Sequence, residues 1–512
     1  MKKIIAVALC IVMIMSVMPF TFAVSAEEYG LMSEVYVSAS GNAHASGLAN
    51  DPCTIERAFV LVKDGGTIYL DGTVAVSEGF SFYKGVTIIG DNKNTDILDL
   101  SAMPGSINLS GDTAFDYVTL KFADHAIYAN GNALTVGENC ATVGTVSVYG
   151  AGNGGSVEGN TSVTLLSGKY NKVYGGGNLC VVEGNTSVII GGTADVKTVH
   201  GGGYGNRVNG STYVWVGGNA NPDCDPTLHE GDVYYIIGGA YSGIVEGSTT
   251  VVFGENANAN YIIGGMDGAD QYIGQGSNLY ITGGKAMSAY GGSAGKDQGS
   301  DVNVVMTGGE LEQLMGAGSG RADVEVGLTG NVNIKLLGGE VSRRVFGGCY
   351  NEVDLHGNWT TTCYVDGEIE LVIGSGVDVT FTYTGGYIAN GNDHALSAHS
   401  RTNSIPLNDK GKPVEKATIL YVDEPAMNKH SKNVKSGPNA GTAAYDSVQV
   451  LSAGDANLDG EITNADVLVI MKNIYNAEAN PVLVFALADV NGDGQITNVD
   501  LLKVYKQIYA AQ

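Results

Sequence analysis

The stretch SVEGNTSVTLLSGKYNKVYGGGNLCVVEGNTSVIIGGTADVKTVHGGG, residues 156–203, says one thing twice. VEGNTSV stands at 157–163 and returns at 182–188, with relatives VNGSTYV at 208–214 and VEGSTTV at 245–251. A second element tracks the first: VYG at 148–150, VYGGG at 173–177, VHGGG at 199–203 and IIGG at 236–239 and 262–265. AYGG (289–292), LMG (314–316) and VFGG (345–348) continue it. Val148 to Val173 is 25 residues, Val173 to Val199 is 26, and Ile236 to Ile262 is 26 again. Short apolar runs punctuated by glycine are a strand-and-turn pattern. At this period they predict a stacked β-solenoid, because one coil cannot bury its apolar face alone. The step from Val199 to Ile236 is longer, at 37 residues. The insert NANPDCDPTLHEG (219–231) accounts for it and is expected as a loop leaving one corner, of the kind that lines binding faces.

Composition agrees and narrows the function. Glycine supplies 75 of 512 residues, about twice the usual share. The net charge is −26 with only 16% charged residues, so a nucleic acid would be repelled. Lys2 and Lys3, the apolar run Ile4–Met18, Pro19 and the small residues of AVSA (23–26) read as a signal peptide over 1–26. No later apolar run has membrane length, so the mature protein is expected without a membrane span, exported and extracellular. Cys10 would leave with the signal. The other six cysteines are too scattered for a disulfide framework or a zinc site and read as buried small hydrophobes, Cys349 and Cys363 being closest in sequence.

After the repeat, two acidic stretches near the C-terminus share one spacing. They are GDANLDGEITNADVLVIMK (454–472) and ADVNGDGQITNVDLLKVYK (488–506). In the first, oxygen donors fall at loop positions 1, 3, 5, 7, 9 and 12: Asp455, Asn457, Asp459, Glu461 (by its carbonyl), Thr463 and Asp466. The second repeats the set with Asp489, Asn491, Asp493, Gln495, Thr497 and Asp500. Calcium takes six to eight hard oxygens around one point, and Gly460 and Gly494 stand where such a loop turns sharply. Ile462 and Ile496 are expected in a shared core, and a helix is expected after each loop, over 465–475 and 499–509.

Two resemblances follow from these residues. The opening EVYVSASGNAHASGLANDPCTIERAFVLVKDGGTIYLDGTVAV, with the repeat behind it, resembles pectate-lyase-like right-handed parallel β-helix proteins. That implies a capping helix within 53–62 and a first coil strand within 65–72. The duplicated loop–helix unit at 454–510 resembles a cellulosomal dockerin, which implies two calcium ions and a cohesin partner on a scaffold protein. The family's recognition positions fall on Asn464–Ala465 and Asn498–Val499, and its basic helix position on Lys472 and Lys506. The common Ser–Thr pair is absent, which leaves the partner class open. The expected fold class is all-β, a right-handed parallel β-helix followed by a small α-helical calcium-binding domain. The expected order is signal peptide 1–26, β-helix 27–390, cap and linker 391–450 and dockerin 451–512, with KATILYVDE (416–424) as a final strand.

The family company implies a plant polysaccharide as substrate, cleaved by hydrolysis of O-glycosyl bonds or by β-elimination. The apparatus is not evident in the sequence. Asn94–Thr95–Asp96 matches one hydrolase motif, but no Asp–Asp pair and no Gly–His–Gly occur, so the match reads as chance. The weak catalytic candidates are Glu158, Glu183 and Glu246, equivalent positions of successive coils (with Asn209 between them), and Arg207. Their plainer reading is a polar turn in water. A column of Tyr149, Tyr174 and His200, continued by Ile237, Ile263 and Tyr290, reads as a ladder packing on itself rather than a sugar platform. The alternative to an enzyme is a non-catalytic carbohydrate-binding or adhesion module on the same scaffold.

Overall fold

The computed structural model describes residues 31–228, 231–267, 272–293, 299–319, 325–353, 362–365, 367–383, 387–390, 417–432, 434–435 and 447–510. The expected signal peptide lies outside them. No helix among the described residues is long and apolar enough to cross a membrane.

Alternation decides the strands. In Thr161–Leu165, Thr186–Ile190, Thr212–Val216 and Thr249–Phe253, every other side chain is buried. These strands pair in parallel without slippage, Val163 over Val188, Val188 over Val214, and Val214 over Val251. A second column runs through Lys169–Tyr174, Asp195–His200, Tyr235–Ile237 and Asn258–Ile263, with Val173, Val199, Ile236 and Ile262 in register. A third, shorter sheet joins Ser156–Val157, Val181–Val182, Tyr204–Val208, Ser242–Val245 and Tyr272–Ile273. The product is a parallel β-helix-like solenoid. Its interior is one continuous apolar stack that includes Val35, Val188, Ile334 and Ile419.

The repeated Thr and Gly of the motif act together. Thr161, Thr186, Thr212 and Thr249 are buried, and each hydroxyl donates to a glycine carbonyl across the coil, those of Gly175, Gly201, Gly238 and Gly264, at 2.5–2.7 Å. A buried hydroxyl without such a partner would cost about 1–3 kcal/mol. At Gly175 an added Cβ would stand 2.2 Å from the carbonyl oxygen of Gly201, so successive corners close only without a side chain.

At the N-terminal end, helix α1 (Ile55–Leu61) packs Ile55, Ala58, Phe59 and Leu61 onto the first coil, and Thr54 caps it by accepting from the Arg57 N–H. The expected first coil strand is Val62–Asp71. At the other end, parallel pairing continues past residue 390. Ala417–Tyr421 pairs with Ile369–Tyr383, and Ser447–Val450 pairs with Ala417–Tyr421. The described part of 391–450 thus adds rungs to the stack, because Ile419, Leu420 and Tyr421 are fully buried. Helix α2 (Glu424–His430), capped by Asp423, lies against this end. Cys53, Cys140, Cys180 and Cys224 are free and buried, whereas Cys349 is disulfide-bonded and so is not merely a small hydrophobe. The side chain of Cys363 lies outside the described ones.

Candidate functional site

The C-terminal unit is wound around its carboxylates. Helix α3 (Asn464–Tyr475) follows the first loop, short helix α4 (Phe485–Ala488) leads into the second, and helix α5 (Asn498–Ala510) follows that. In the first loop, the buried Asp455 accepts from the N–H groups of Asp459 and Gly460 at 3.1 and 2.9 Å. Asp466 accepts from Asn457 N at 3.0 Å and from Thr463 N at 2.7 Å. The second loop repeats these bonds, Asp489 with Asp493 and Gly494, and Asp500 with Asn491 and Thr497. Position 12 thus serves twice, since Asp466 also closes a capping box with Thr463 at the start of α3. Gly460 has φ +86° and Gly494 φ +82°, the left-handed turn that glycine adopts without penalty.

This donor set fits a cation. Burial, with Asp466 and Asp459 beside it, pushes the Asp455 carboxyl up to about 6, although the Gly460 N–H works the other way. A buried carboxyl raised in this way is one that a hard divalent ion would stabilise. Residues 453–509 match the family model of the dockerin type I domain.

These residues are a dockerin type I domain.

Dockerins of this type bind calcium and have cohesins as partners. No curated protein and no solved structure matches the chain.

The dockerin core is small: Ala456, Val467, Ile470, Ala488 and Val504, with Ile462 and Ile496 packed against it from their loops. Outside it, two stripes at helical spacing face water. On α3 the stripe is Ala465, Leu468, Lys472 and Tyr475, and on α5 it is Val499, Leu502, Lys506 and Tyr509. Each member of the second stands 34 residues after its counterpart. Asn464 and Asn498, at the helix starts, are exposed as well. The apolar members are widely open, Tyr475 at 91% and Tyr509 at 66%.

The dockerin also sits on the end of the solenoid, which nothing in the sequence announced. Leu458, at loop position 4 with φ +63°, is fully buried in a cluster with Val372, Leu420, Val422, Leu451 and Leu487. Lys335 of the solenoid donates to the carbonyl of Asn457, and Gln449 Nε2 donates to the carbonyl of Gly460 at 3.1 Å. Side chains at the end of the β-helix therefore bond the backbone of the first acidic loop.

On the solenoid, Glu158 and Glu183 lie exposed on a turn, as does Asn209, which donates to Glu183. Arg207 and Glu246 approach to 3.6 Å, half open to water. Asp96, the end of the Asn–Thr–Asp match, accepts from the N–H groups of Asn92, Gly72 and Asp91. Burial would raise its pKa, and those bonds outweigh it and hold it below the usual value. It is a turn anchor. Tyr128, Tyr149, Tyr174 and His200 stack at 4.9 Å between successive rings, with Tyr128, Tyr174 and His200 buried. Burial pushes His200 down to about 3, so it joins the ladder as a neutral ring.

A cleft that the repeat analysis missed opens on the second strand column. Lys169, Tyr170, Asp195, Lys197, Asp223, Asp232 and Tyr234 are among its lining residues. The insert closes it because two buried asparagines pin the insert down. Asn260 donates to the carbonyls of Asp225 and Leu228 and accepts from Tyr234 N at 2.8–2.9 Å. Asn221 accepts from Val196 N at 2.8 Å and donates to the carbonyl of Asn258 at 2.9 Å. The only signal in the sequence was the length of the insert.

Proposed function

We propose that this chain is an exported component of a polysaccharide-degrading assembly, held on a scaffold protein by its dockerin. Two calcium ions order the two loops, one each, with Asp455, Asn457, Asp459, Glu461, Thr463 and Asp466 around the first and Asp489, Asn491, Asp493, Gln495, Thr497 and Asp500 around the second. A cohesin then takes one of two equivalent surfaces, Asn464, Ala465 and Lys472 or Asn498, Val499 and Lys506. The observation that carries this reading is the duplicated stripe, Ala465–Leu468–Lys472–Tyr475 against Val499–Leu502–Lys506–Tyr509, exposed on helices with matching caps. An amphipathic helix laid on a partner reads out through this spacing.

The test is capture of the full chain by a panel of immobilised cohesins, in calcium and in chelator. Capture by at least one cohesin in calcium, lost in chelator, is expected. Capture that persists in chelator, or none by any cohesin, would sink the reading. A Leu468→Ala/Leu502→Ala double variant is expected to weaken capture more than either single variant.

For the solenoid, the proposal is action on plant cell-wall polysaccharide, supported by the polar cleft beside the pinned insert. A non-catalytic binding module is the second reading, supported by the open, solvated placement of Glu158, Glu183 and Arg207. Retention of the chain on insoluble polysaccharide, with and without release of soluble products, separates the two.

A further inference from the structure

We propose that the outer face of the first strand column, from Ile189 to Val305, is a binding platform for a neutral polysaccharide chain lying along the solenoid axis. The proposal rests on the reading of the solenoid as acting on or holding polysaccharide. It adds where the chain lies, what holds it and which charge class it belongs to.

The alternation that packs the core also defines this face. In Thr212–Val216, Val214 and Val216 point inward and are fully buried, so Tyr213 and Trp215 point out. Register carries each outward position from coil to coil. Ile189, Trp215, Val252, Tyr280 and Val305 form one row, each beside the next. Tyr213, Asn278, Asn303 and Asn333 belong to the neighbouring row. Rungs about 4.8 Å apart make the first row about 19 Å long and put Trp215 about 10 Å from Tyr280.

Trp215 lies flat over glycines. A Cβ added at Gly217 would stand 2.3, 2.5 and 3.0 Å from Cζ2, Cη2 and Cε2 of the indole, and one at Gly191 would stand 3.0 Å from Cζ3. The three Gly217 distances put that position over the ring face rather than at its edge. The opposite face of the half-buried indole is left to the solvent side. Tyr213 and Tyr280 are 39% and 37% exposed. None of these three rings has a ring partner among the described residues, whereas Tyr149 and Tyr174 have both faces covered by neighbours at 4.9 Å. Beside the rings runs an amide ladder. Asn303 donates to Oδ1 of Asn278, and Asn333 donates to Oδ1 of Asn303, both at 3.0 Å. Asn303 therefore keeps one N–H and one lone pair for a ligand.

This chemistry selects a sugar polymer. A pyranose ring presents C–H groups on its faces and hydroxyls at its rim. The first pack on aromatic rings, and the second need donors and acceptors alongside. From Ile189 to Val305 no outward position of the two rows carries a charge, in a chain of net charge −26. A charged partner would lose water there and gain no opposite charge, so a neutral polymer fits best. The row also shows what a protein contact on this face looks like. Beyond Val305 it passes Lys335 and reaches Val372 and Leu420, which the dockerin covers completely. The rungs that take protein are aliphatic and fully buried, and the open rungs carry rings and amides.

The experiment uses the full chain with calcium, as wild type and as Trp215→Ala, Trp215→Phe and Tyr280→Ala. Retention on insoluble xylan, mannan and cellulose is measured at low and high salt, with polygalacturonate as the charged probe. Sedimentation follows self-association, and circular dichroism follows the fold. Retention on at least one neutral polymer is expected, unchanged by salt that screens charges. Trp215→Ala should weaken it about 10-fold or more, the usual cost of truncating a central tryptophan contact. Tyr280→Ala should weaken it less, and Trp215→Phe least. Should Trp215→Ala fail to fold, Tyr280→Ala gives the same reading from two rungs away. Retention unchanged in both alanine variants would put the polymer elsewhere and overturn the platform, leaving the polysaccharide reading standing. No retention of folded wild type on any polymer would fell both. Retention on polygalacturonate alone would overturn the platform in favour of a charged ligand. Self-association lost in Trp215→Ala, without retention, would overturn it in favour of a second copy.

Discussion

The solenoid and the dockerin solve the same problem with opposite means. The solenoid repeats one small apolar pattern until the stack carries itself, with Val163, Val188, Val214 and Val251 one above another and all fully buried. The dockerin fully buries only a handful of apolar side chains and winds its backbone around Asp455, Asp466, Asp489 and Asp500 instead. Burial of apolar surface needs no partner. Buried carboxylates do, because a charge taken out of water needs hydrogen bonds or a cation in the same site. One half should therefore be stable by itself, and the other should depend on its ions.

Chelation breaks the comparison most sharply. Removing calcium from the full chain is expected to abolish cohesin capture and lower the helical circular dichroism, while the β signal persists to the same melting temperature. Loss of both signals together would mean that the dockerin and the solenoid unfold as one.

In the solenoid, Ile334→Ala deletes a fully buried side chain in mid-stack and should cost about 2–5 kcal/mol in denaturant unfolding. Neighbouring coils should be lost with it, since each rung contacts only its neighbours. At the junction, Leu458→Ala empties the contact between the first calcium loop and the last coils. A cost at the low end of the same range is expected, together with a drop in calcium affinity at the first loop and none at the second. Equal effects at both loops would show that the junction does not act through Leu458.

Acidity should move the calcium-free dockerin by a smaller amount. Asp455 rises from 3.8 to about 6 on folding, so the folded state binds a proton the unfolded chain releases. Its contribution is fully present below pH 3.8 and is lost as the pH climbs through 6. The chelated domain should thus lose stability between pH 4 and 7, and Asp455→Asn should flatten that slope. Calcium binding runs the other way and should weaken below pH 6. Smallest of all, Arg207→Ala removes an exposed ion pair with Glu246 and should change stability by no more than about 1 kcal/mol.

Much of this could be read along the chain, and the reason is periodicity. A repeat of 25–26 residues with VEGNTSV in register leaves few ways to bury Val and Ile other than stacking, and the strands fall where the alternation puts them. The acidic loops are as local, since the proposed six donors of each fall within twelve residues. The expected helices at 465–475 and 499–509 begin one residue earlier, at Asn464 and Asn498, where Asp466 and Asp500 accept from the N–H groups of Thr463 and Thr497 in the first turn. The cleft was out of reach. Asp195 sits in an ordinary rung, and only the pinning of the insert by Asn221 and Asn260 puts Asp223 over it.

The amino-acid sequence alone determined the coil period, the parallel stack, the duplicated acidic loops and the helices behind them, because each depends on residues close together in the chain or repeated at one interval. The tertiary structure decided that Leu458 buries itself in the end of the solenoid, that Asp96 anchors a turn, and that Asp195 and Asp223 share a cleft. Those contacts join segments with no common period, and only close packing of the folded chain selects which of them meet.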